Sequence, residues 1–140
     1  MAMEQTLAIL KPDAVKRHLI GQILTQIEAS GLNLRGLRKL TLSRKQAEVF
    51  YDVHKERPFY ASLCDYMTSG PVVVAVLEGD RAIERWRDLM GATDPAKAAE
   101  GTIRRKFGQN IEQNATHGSD AKETAAREIA FFFSAMDLAG

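Results

Sequence analysis

A chain of 140 residues, 45% apolar and 26% charged, carries enough hydrophobic material for one core and too much for a disordered segment. Nineteen Lys and Arg against 18 Asp and Glu leave a net charge of +1, so no bulk field draws the chain to nucleic acid or a membrane surface, and any anion must be held by a local cluster of cations. The single cysteine, Cys64, excludes an intrachain disulfide and is expected to sit in the core as a small hydrophobe of a protein in a reducing compartment.

The N-terminus, Met1-Ala2-Met3-Glu4-Gln5, lacks the basic start and apolar stretch of a signal peptide. The longest apolar run, Val72 to Leu77, falls far short of the roughly 20 residues of a spanning helix. A cytoplasmic protein with no membrane partner is expected. Residues 1–140 show no repeat and no linker, so one domain is expected.

Thr6 to Leu10 reads as a buried strand, ended by Lys11-Pro12-Asp13 because proline cannot continue a central strand. Ile20, Ile23, Leu24 and Ile27 follow the spacing of an amphipathic helix, which Gly31 closes. Leu32 to Leu42 suggests a second strand interrupted at Gly36. Ser43 with Gln46 forms a capping-box signature ahead of a helix carrying Ala47, Phe50, Tyr51 and His54 on one stripe. A short helix is expected over Phe59 to Met67. Pro71 to Leu77 is the clearest strand, and Asp80 is expected to open a helix that turns Ile83, Trp86 and Met90 inward.

From Gly91 to Asn114 periodicity fades, apart from a turn of helix near Thr102 to Phe107. Loops of that length usually carry function. A last helix is expected from Asp120, capped in concert with Glu123, to the Phe131–Phe133 aromatics. The order fits a small α/β protein, a ferredoxin-like α+β sandwich with a four-stranded antiparallel sheet and helices covering one face, plus one long loop.

Asn114-Ala115-Thr116-His117-Gly118-Ser119-Asp120 is the stretch richest in chemistry. His117 precedes a helix N-terminus, where unpaired N–H groups and the helix dipole favour an anion. Glu128 falls on the stripe of Ala121, Ala125, Ile129 and Phe132, a carboxylate on a buried face that needs partners. Spacing alone leaves two readings of each open: His117 as nucleophile or as a capping or core histidine, Glu128 as its partner or as a rim carboxylate paired with Arg127 or a lysine.

Lys11 and Arg87 stand at the ends of elements and the Arg104-Arg105-Lys106 run in the long irregular segment, where cations facing loops can cradle phosphate. Thr93 can donate to phosphate, and Tyr51 or Phe59 can offer a ring to a base. No Gly-x-x-x-x-Gly-Lys-Ser/Thr or Gly-x-Gly-x-x-Gly loop is present, and no zinc-ligand spacing. Phosphate, if bound, is bound by side chains.

These segments together resemble the nucleoside diphosphate kinase family, nearly from end to end. The strongest marker is Asn114 to Asp120. Around it, in the family's order, stand Lys11-Pro12-Asp13-Ala14-Val15, Arg57-Pro58-Phe59, Thr68-Ser69-Gly70-Pro71, Met90-Gly91-Ala92-Thr93-Asp94-Pro95 and Gly101-Thr102-Ile103-Arg104. The resemblance implies a ping-pong transfer of the γ-phosphate of a nucleoside triphosphate, typically ATP, to a nucleoside diphosphate, supplying non-adenine triphosphates with broad base tolerance. His117 would carry the phosphate on its pros nitrogen, oriented by Glu128 and Ser119. Arg87, Thr93 and Arg104 would hold the β- and γ-phosphates, with Tyr51 beside the moving group. Lys11 and Asn114 would contact the ribose, Lys11 also the phosphate; Phe59 would stack on the base with Ile111 opposite.

Mg²⁺ would bridge the phosphates chiefly through the nucleotide, with no firm protein ligand and Asp120 a weak outer-shell candidate. Two departures stand out. Arg105 and Lys106 replace the family's usual small residue and aspartate, reversing local charge. The chain ends at Gly140, which fits a short-tailed, bacterial-type homo-oligomer, whether dimer, tetramer or hexamer. The rival readings are a non-catalytic nucleotide- or RNA-binding module on the same frame, and a family member that has lost catalysis.

Overall fold

The computed structural model describes residues 3–139; the readings placed on Met1, Ala2 and Gly140 lie outside the described residues. In chain order its elements are β1 (Met3–Leu10), α1 (Pro12–Lys16), α2 (Ile20–Ala29), β2 (Asn33–Leu40), α3 (Arg44–Phe50), α4 (Tyr60–Met67), β3 (Val72–Asp80), α5 (Ala82–Met90), α6 (Ile103–Phe107), β4 (Thr116–Gly118) and α7 (Lys122–Phe132). The strands form one sheet in the order β2-β3-β1-β4, antiparallel at every pairing. That is the expected ferredoxin-like arrangement.

Helices cover both faces of this sheet, where the sequence pattern suggested one. Ala8, Leu10, Val73, Ala75 and Leu77 point to the side of α2 and α5, against Ile23, Ile27 and Trp86. Leu7, Ile9, Val72, Val74 and Val76 point the other way, onto α3, α4 and α7 through Phe50, Met67 and Ile129. The reason lies in the two central strands. Their unbroken apolar runs, rather than an alternation, are what burial on both faces requires. Cys64 is fully buried in the second cluster.

Several element boundaries depart from expectation. Pro12 ends β1 but starts α1, since proline at the first helical position loses no hydrogen bond. β2 stops at Leu40 and carries an irregularity in register between Leu34 and Gly36. Asp80 does not open α5: β3 runs through it, and Arg81 precedes the helix with φ 51° and no side-chain cap. The N–H of Ile83 instead donates to Glu4 Oε1 on the neighbouring strand, at 2.9 Å.

α7 likewise begins behind Ala121, without the Asp120 and Glu123 cap. The Ser43–Gln46 capping box does form, both of its bonds present at 2.9 and 3.1 Å. Among the described residues no helix is long and apolar enough to cross a membrane.

Three features of this frame set the site. β4 is only three residues long and pairs with the end of β1, His117 opposite Ile9. Trp86 on α5 donates its indole N–H to the His117 carbonyl at 3.2 Å. That approach needs Gly118, because a Cβ there would stand 2.6 Å from both the Trp86 ring and the Met90 methyl.

Candidate active site

His117 leaves β4 on the α3–α7 side of the sheet, its side chain 23% exposed. Its Nε2 lies 2.9 Å from Glu128 Oε1. Glu128 sits on the buried stripe of α7 and is 4% exposed. The hydroxyl of fully buried Ser119 donates to that same Glu128 oxygen at 2.8 Å. Ser119 is itself held by β1, accepting from the Leu7 N–H at 3.3 Å.

A carboxylate oxygen only accepts, so the proton between the pair belongs to His117 Nε2. Nδ1 then keeps its lone pair and has no protein partner among the described residues. The other oxygen of Glu128 lies 3.9 Å from Arg127, which is 42% exposed. Glu128 is therefore a buried carboxylate and not a rim one, with its close contacts on the His117 side and Arg127 farther off.

Cations gather on the far side of the histidine. Lys11, 8% exposed, donates through Nζ to Asn114 Oδ1 at 2.8 Å and to the Glu112 carbonyl at 3.3 Å. Burial, then the neighbouring Arg104, lowers its pKa to about 8. Arg104 spans the loop, donating to the carbonyls of Gly91 at 3.0 Å and Thr116 at 2.9 Å. Burial and Arg87 lower it to about 10. Its buried Nε has no hydrogen-bond partner among the described residues.

Like charges pressed together and partly dried are unfavourable alone, and an anion between them relieves both terms. Asn114 completes the wall by donating from Nδ2 to the Thr93 carbonyl at 3.0 Å.

A cavity of about 430 Å³ joins these groups. Lys11, Tyr51, Thr93, Arg104, Asn114 and His117 form its polar end, and Phe59 and Ile111 its apolar mouth. Phe59 is 47% exposed and Ile111 60%, which is wasteful for core packing and suits an apolar ring slotted between them. Tyr51 is buried at the end of α3, and its hydroxyl is pushed well above the usual tyrosine range by burial and by Glu128.

Arg87 opens onto the adjoining cleft together with Thr93 and Arg104. Asp120 does not line the cavity; it borders a separate cleft between α5 and α7. Among the described residues no cluster of three His, Cys, Asp or Glu could hold a metal ion.

Sequence pattern overlooked several participants. His54, Leu63 and Glu112 also line the cavity; periodicity put His54 only on an apolar helical stripe, and nothing in the pattern distinguished Leu63 or Glu112. Glu112 is anchored there by the Ser62 hydroxyl at 2.8 Å. The unusual Arg105 ties α6 to the turn at Pro95–Lys97 by donating to the Ala96 carbonyl at 3.1 Å. Lys106 lies over the Phe107 ring at 5.4 Å. The reversed charge thus finds partners within the chain.

Comparison with known proteins agrees with this geometry. The family pattern described as nucleoside diphosphate kinase matches residues 4–138. A curated relative of that name from Oleidesulfovibrio alaskensis is 60% identical over 137 residues, 98% of this chain and 99% of that protein. Another from Acidiphilium cryptum is 56% identical over the full length of both.

Among solved structures, a nucleoside diphosphate kinase of Aquifex aeolicus superimposes with a TM-score of 0.96 at 43% identity, covering 98% of this chain and 99% of that one. A halophilic nucleoside diphosphate kinase of Halobacterium salinarum, solved in complex with CDP, gives 0.94 at 40% identity over 99% and 93%. Sequence and fold agree along the whole length: the chain belongs to the nucleoside diphosphate kinase family.

Proposed function

We propose that this chain moves the terminal phosphate of a nucleoside triphosphate to a nucleoside diphosphate in two steps through His117. The observation that carries the reading is the 2.9 Å contact of His117 Nε2 with Glu128: with the proton on Nε2, the lone pair of Nδ1 is left for the cavity that Lys11 and Arg104 also line. In the first step Nδ1 attacks the γ-phosphorus, the N–P bond forms, and the bond to the bridging oxygen breaks. The diphosphate leaves with that electron pair. An acceptor diphosphate then reverses the step at the same histidine.

Glu128, backed by Ser119, stabilises the charge that grows on the imidazole as Nδ1 bonds to phosphorus. Arg87, Thr93 and Arg104 meet the β- and γ-phosphate oxygens, Lys11 and Asn114 the ribose, Lys11 also the moving phosphate, and Tyr51 lies beside the moving group. Phe59 and Ile111 grip the base by its flat faces, which every base possesses, so purines and pyrimidines are all accepted. Mg²⁺ would enter with the nucleotide and would offset the charge of its phosphates; the cationic lining of the cavity fits a metal carried by the nucleotide. Asp120, opening on another cleft, has at most an indirect part.

The same reading takes residues 1–140 as one catalytic domain acting in the cytoplasm, without membrane or specific nucleic-acid partners, as a homo-oligomer. Near-zero net charge and family membership support it.

The test is label trapping. Incubation with a triphosphate labelled at the γ-phosphate should leave acid-labile label on the protein, discharged by any nucleoside diphosphate, and His117→Ala should remain unlabelled. Label that persists in that variant, or that transfers only when both nucleotides are bound together, contradicts the proposal.

A further inference from the structure

The segment between Asn114 and His117 holds an unusual backbone. Ala115, a residue with a Cβ, sits at φ 74°, and the Thr116 N–H donates to the Asn114 carbonyl two residues back at 2.9 Å. That bond with that φ fits a γ-turn of the rare, strained kind. Such a conformation persists only where the surroundings over-determine it.

Here they come from the start of α1. The Lys11 N–H donates to the Ala115 carbonyl at 2.8 Å. The Ala115 N–H donates to Asp13 Oδ2 at 3.1 Å. Asp13 is 6% exposed. Its other oxygen accepts from the Tyr66 hydroxyl on α4, and its own N–H donates to that hydroxyl at 3.1 Å. Burial and the bond to Asp13 push Tyr66 well above the usual tyrosine range, so the hydroxyl stays a donor.

We infer that Asp13, held by Tyr66, is a positioning residue for phosphoryl transfer: its carboxylate clamps the strained turn at Ala115 and so sets Asn114 in register with His117. The inference rests on the proposed role of His117. Both arms of the turn carry site groups. Asn114 receives Lys11 Nζ on one side, and His117 meets Glu128 on the other. Relaxing Ala115 to a negative φ would swing one arm against the other. Asp13 and Tyr66 border a cavity of about 510 Å³ distinct from the nucleotide cavity, so the clamp works from behind the site and touches no nucleotide.

The experiment compares single-turnover labelling of the enzyme, nucleotide Kd, and hydrogen exchange at the Ala115 and Thr116 amides in the folded protein. Asp13→Ala should slow labelling by about a hundredfold, the scale of small misplacements of reacting groups. Its Kd should weaken far less than labelling slows, because Asp13 does not line the nucleotide cavity and acts on it only through Asn114 and Lys11, while exchange at Ala115 accelerates. Asp13→Asn keeps an acceptor for the Ala115 N–H and should recover most of the rate. The double variant Asp13→Ala/Ala115→Gly should also recover at least about tenfold of it, because glycine adopts a positive φ without strain.

Wild-type labelling in folded Asp13→Ala, or no recovery in either rescue variant, overturns the inference. If Asp13→Ala does not fold, Tyr66→Phe decides: labelling slowed far more than Kd weakens supports the clamp, and a wild-type rate removes it. Absence of label on the wild type would instead overturn the role of His117, so the two failures are told apart.

Discussion

His117 Nε2 and Ser119 Oγ converge on one oxygen of Glu128, at 2.9 and 2.8 Å. Two donors on a single buried acceptor fix the imidazole's tautomer and its rotation together. Glu128→Gln keeps the shape but loses the charge. A hydrogen bond to a charged group is worth about 1.5–3 kcal/mol, so phosphorylation of His117 should slow about ten- to a hundredfold, with nucleotide Kd nearly constant. Ser119→Ala should slow it less. Stopped-flow phosphorylation rates check both; a Glu128→Gln enzyme as fast as wild type would remove the carboxylate from the mechanism.

Arg104 has two duties, and its loss should show both. Its guanidinium donates to the Gly91 and Thr116 carbonyls, so Arg104→Ala should lower stability by about 1–3 kcal/mol through buried acceptors left unpaired. It should also slow transfer by at least about a hundredfold, through lost stabilisation of the moving phosphate. Nucleoside binding should change little. Denaturant melts and separate kcat and Kd values distinguish the two effects, and equal loss of transfer and nucleoside binding would make Arg104 purely structural.

The depressed Lys11 gives a pH signature. Its pKa is about 8 in the folded protein against an ordinary 10.5. Between those values the unfolded chain binds more protons, so this group's contribution to stability rises with pH across that window and is least favourable below it. A bound polyphosphate favours the protonated amine and has the opposite sense. Nucleotide affinity should therefore fall as pH rises through about 8, with proton uptake on binding there. Calorimetry in two buffers of different ionisation enthalpy measures it. Affinity flat from about pH 7 to about pH 9.5 would contradict the assignment.

Gly118→Ala tests the support behind the histidine. A Cβ 2.6 Å from Trp86 and Met90 must push α5 or β4 aside, and overpacking of this kind costs about 1–3 kcal/mol. Because β4 is only three residues long, the shift should reach His117 and lower kcat as well as Tm. A variant melting and turning over like wild type would show that the contact is soft.

Phe59→Ala should weaken every nucleoside diphosphate alike, by about 1–3 kcal/mol, since stacking reads no particular base. Competition assays with four bases check this. Weakening confined to one base would point to an edge contact, with Glu112 a carboxylate that lines the cavity.

The sequence made some of this legible and hid the rest for physical reasons. Glu128 declared itself because a carboxylate on an apolar helical stripe must find a partner. The stretch around His117 stood out by composition, and the central strands by unbroken valines and leucines. Those same runs are what burial on both faces requires, but the expected coverage was of one face, because helix stripes look identical whichever face they cover.

β4 and α1, at three and five residues, are too short for any period to register. The helix start at Asp80 failed as a prediction because β3 runs through it and Glu4 of the neighbouring strand takes the Ile83 N–H; α7 starts behind Ala121 with no side-chain cap at all. Asp13 and Tyr66 stand 53 residues apart, and Ala115 owes its left-handed backbone to contacts no local pattern encodes.

The most direct measurement is the site of phosphate attachment in the wild-type enzyme. Phosphorus and proton NMR of the phosphoenzyme, trapped without acceptor, should show one acid-labile phosphohistidine at residue 117 bonded through Nδ1, with Nε2 still protonated toward Glu128. Phosphate on Nε2 of His117, or on any other side chain, would contradict the account.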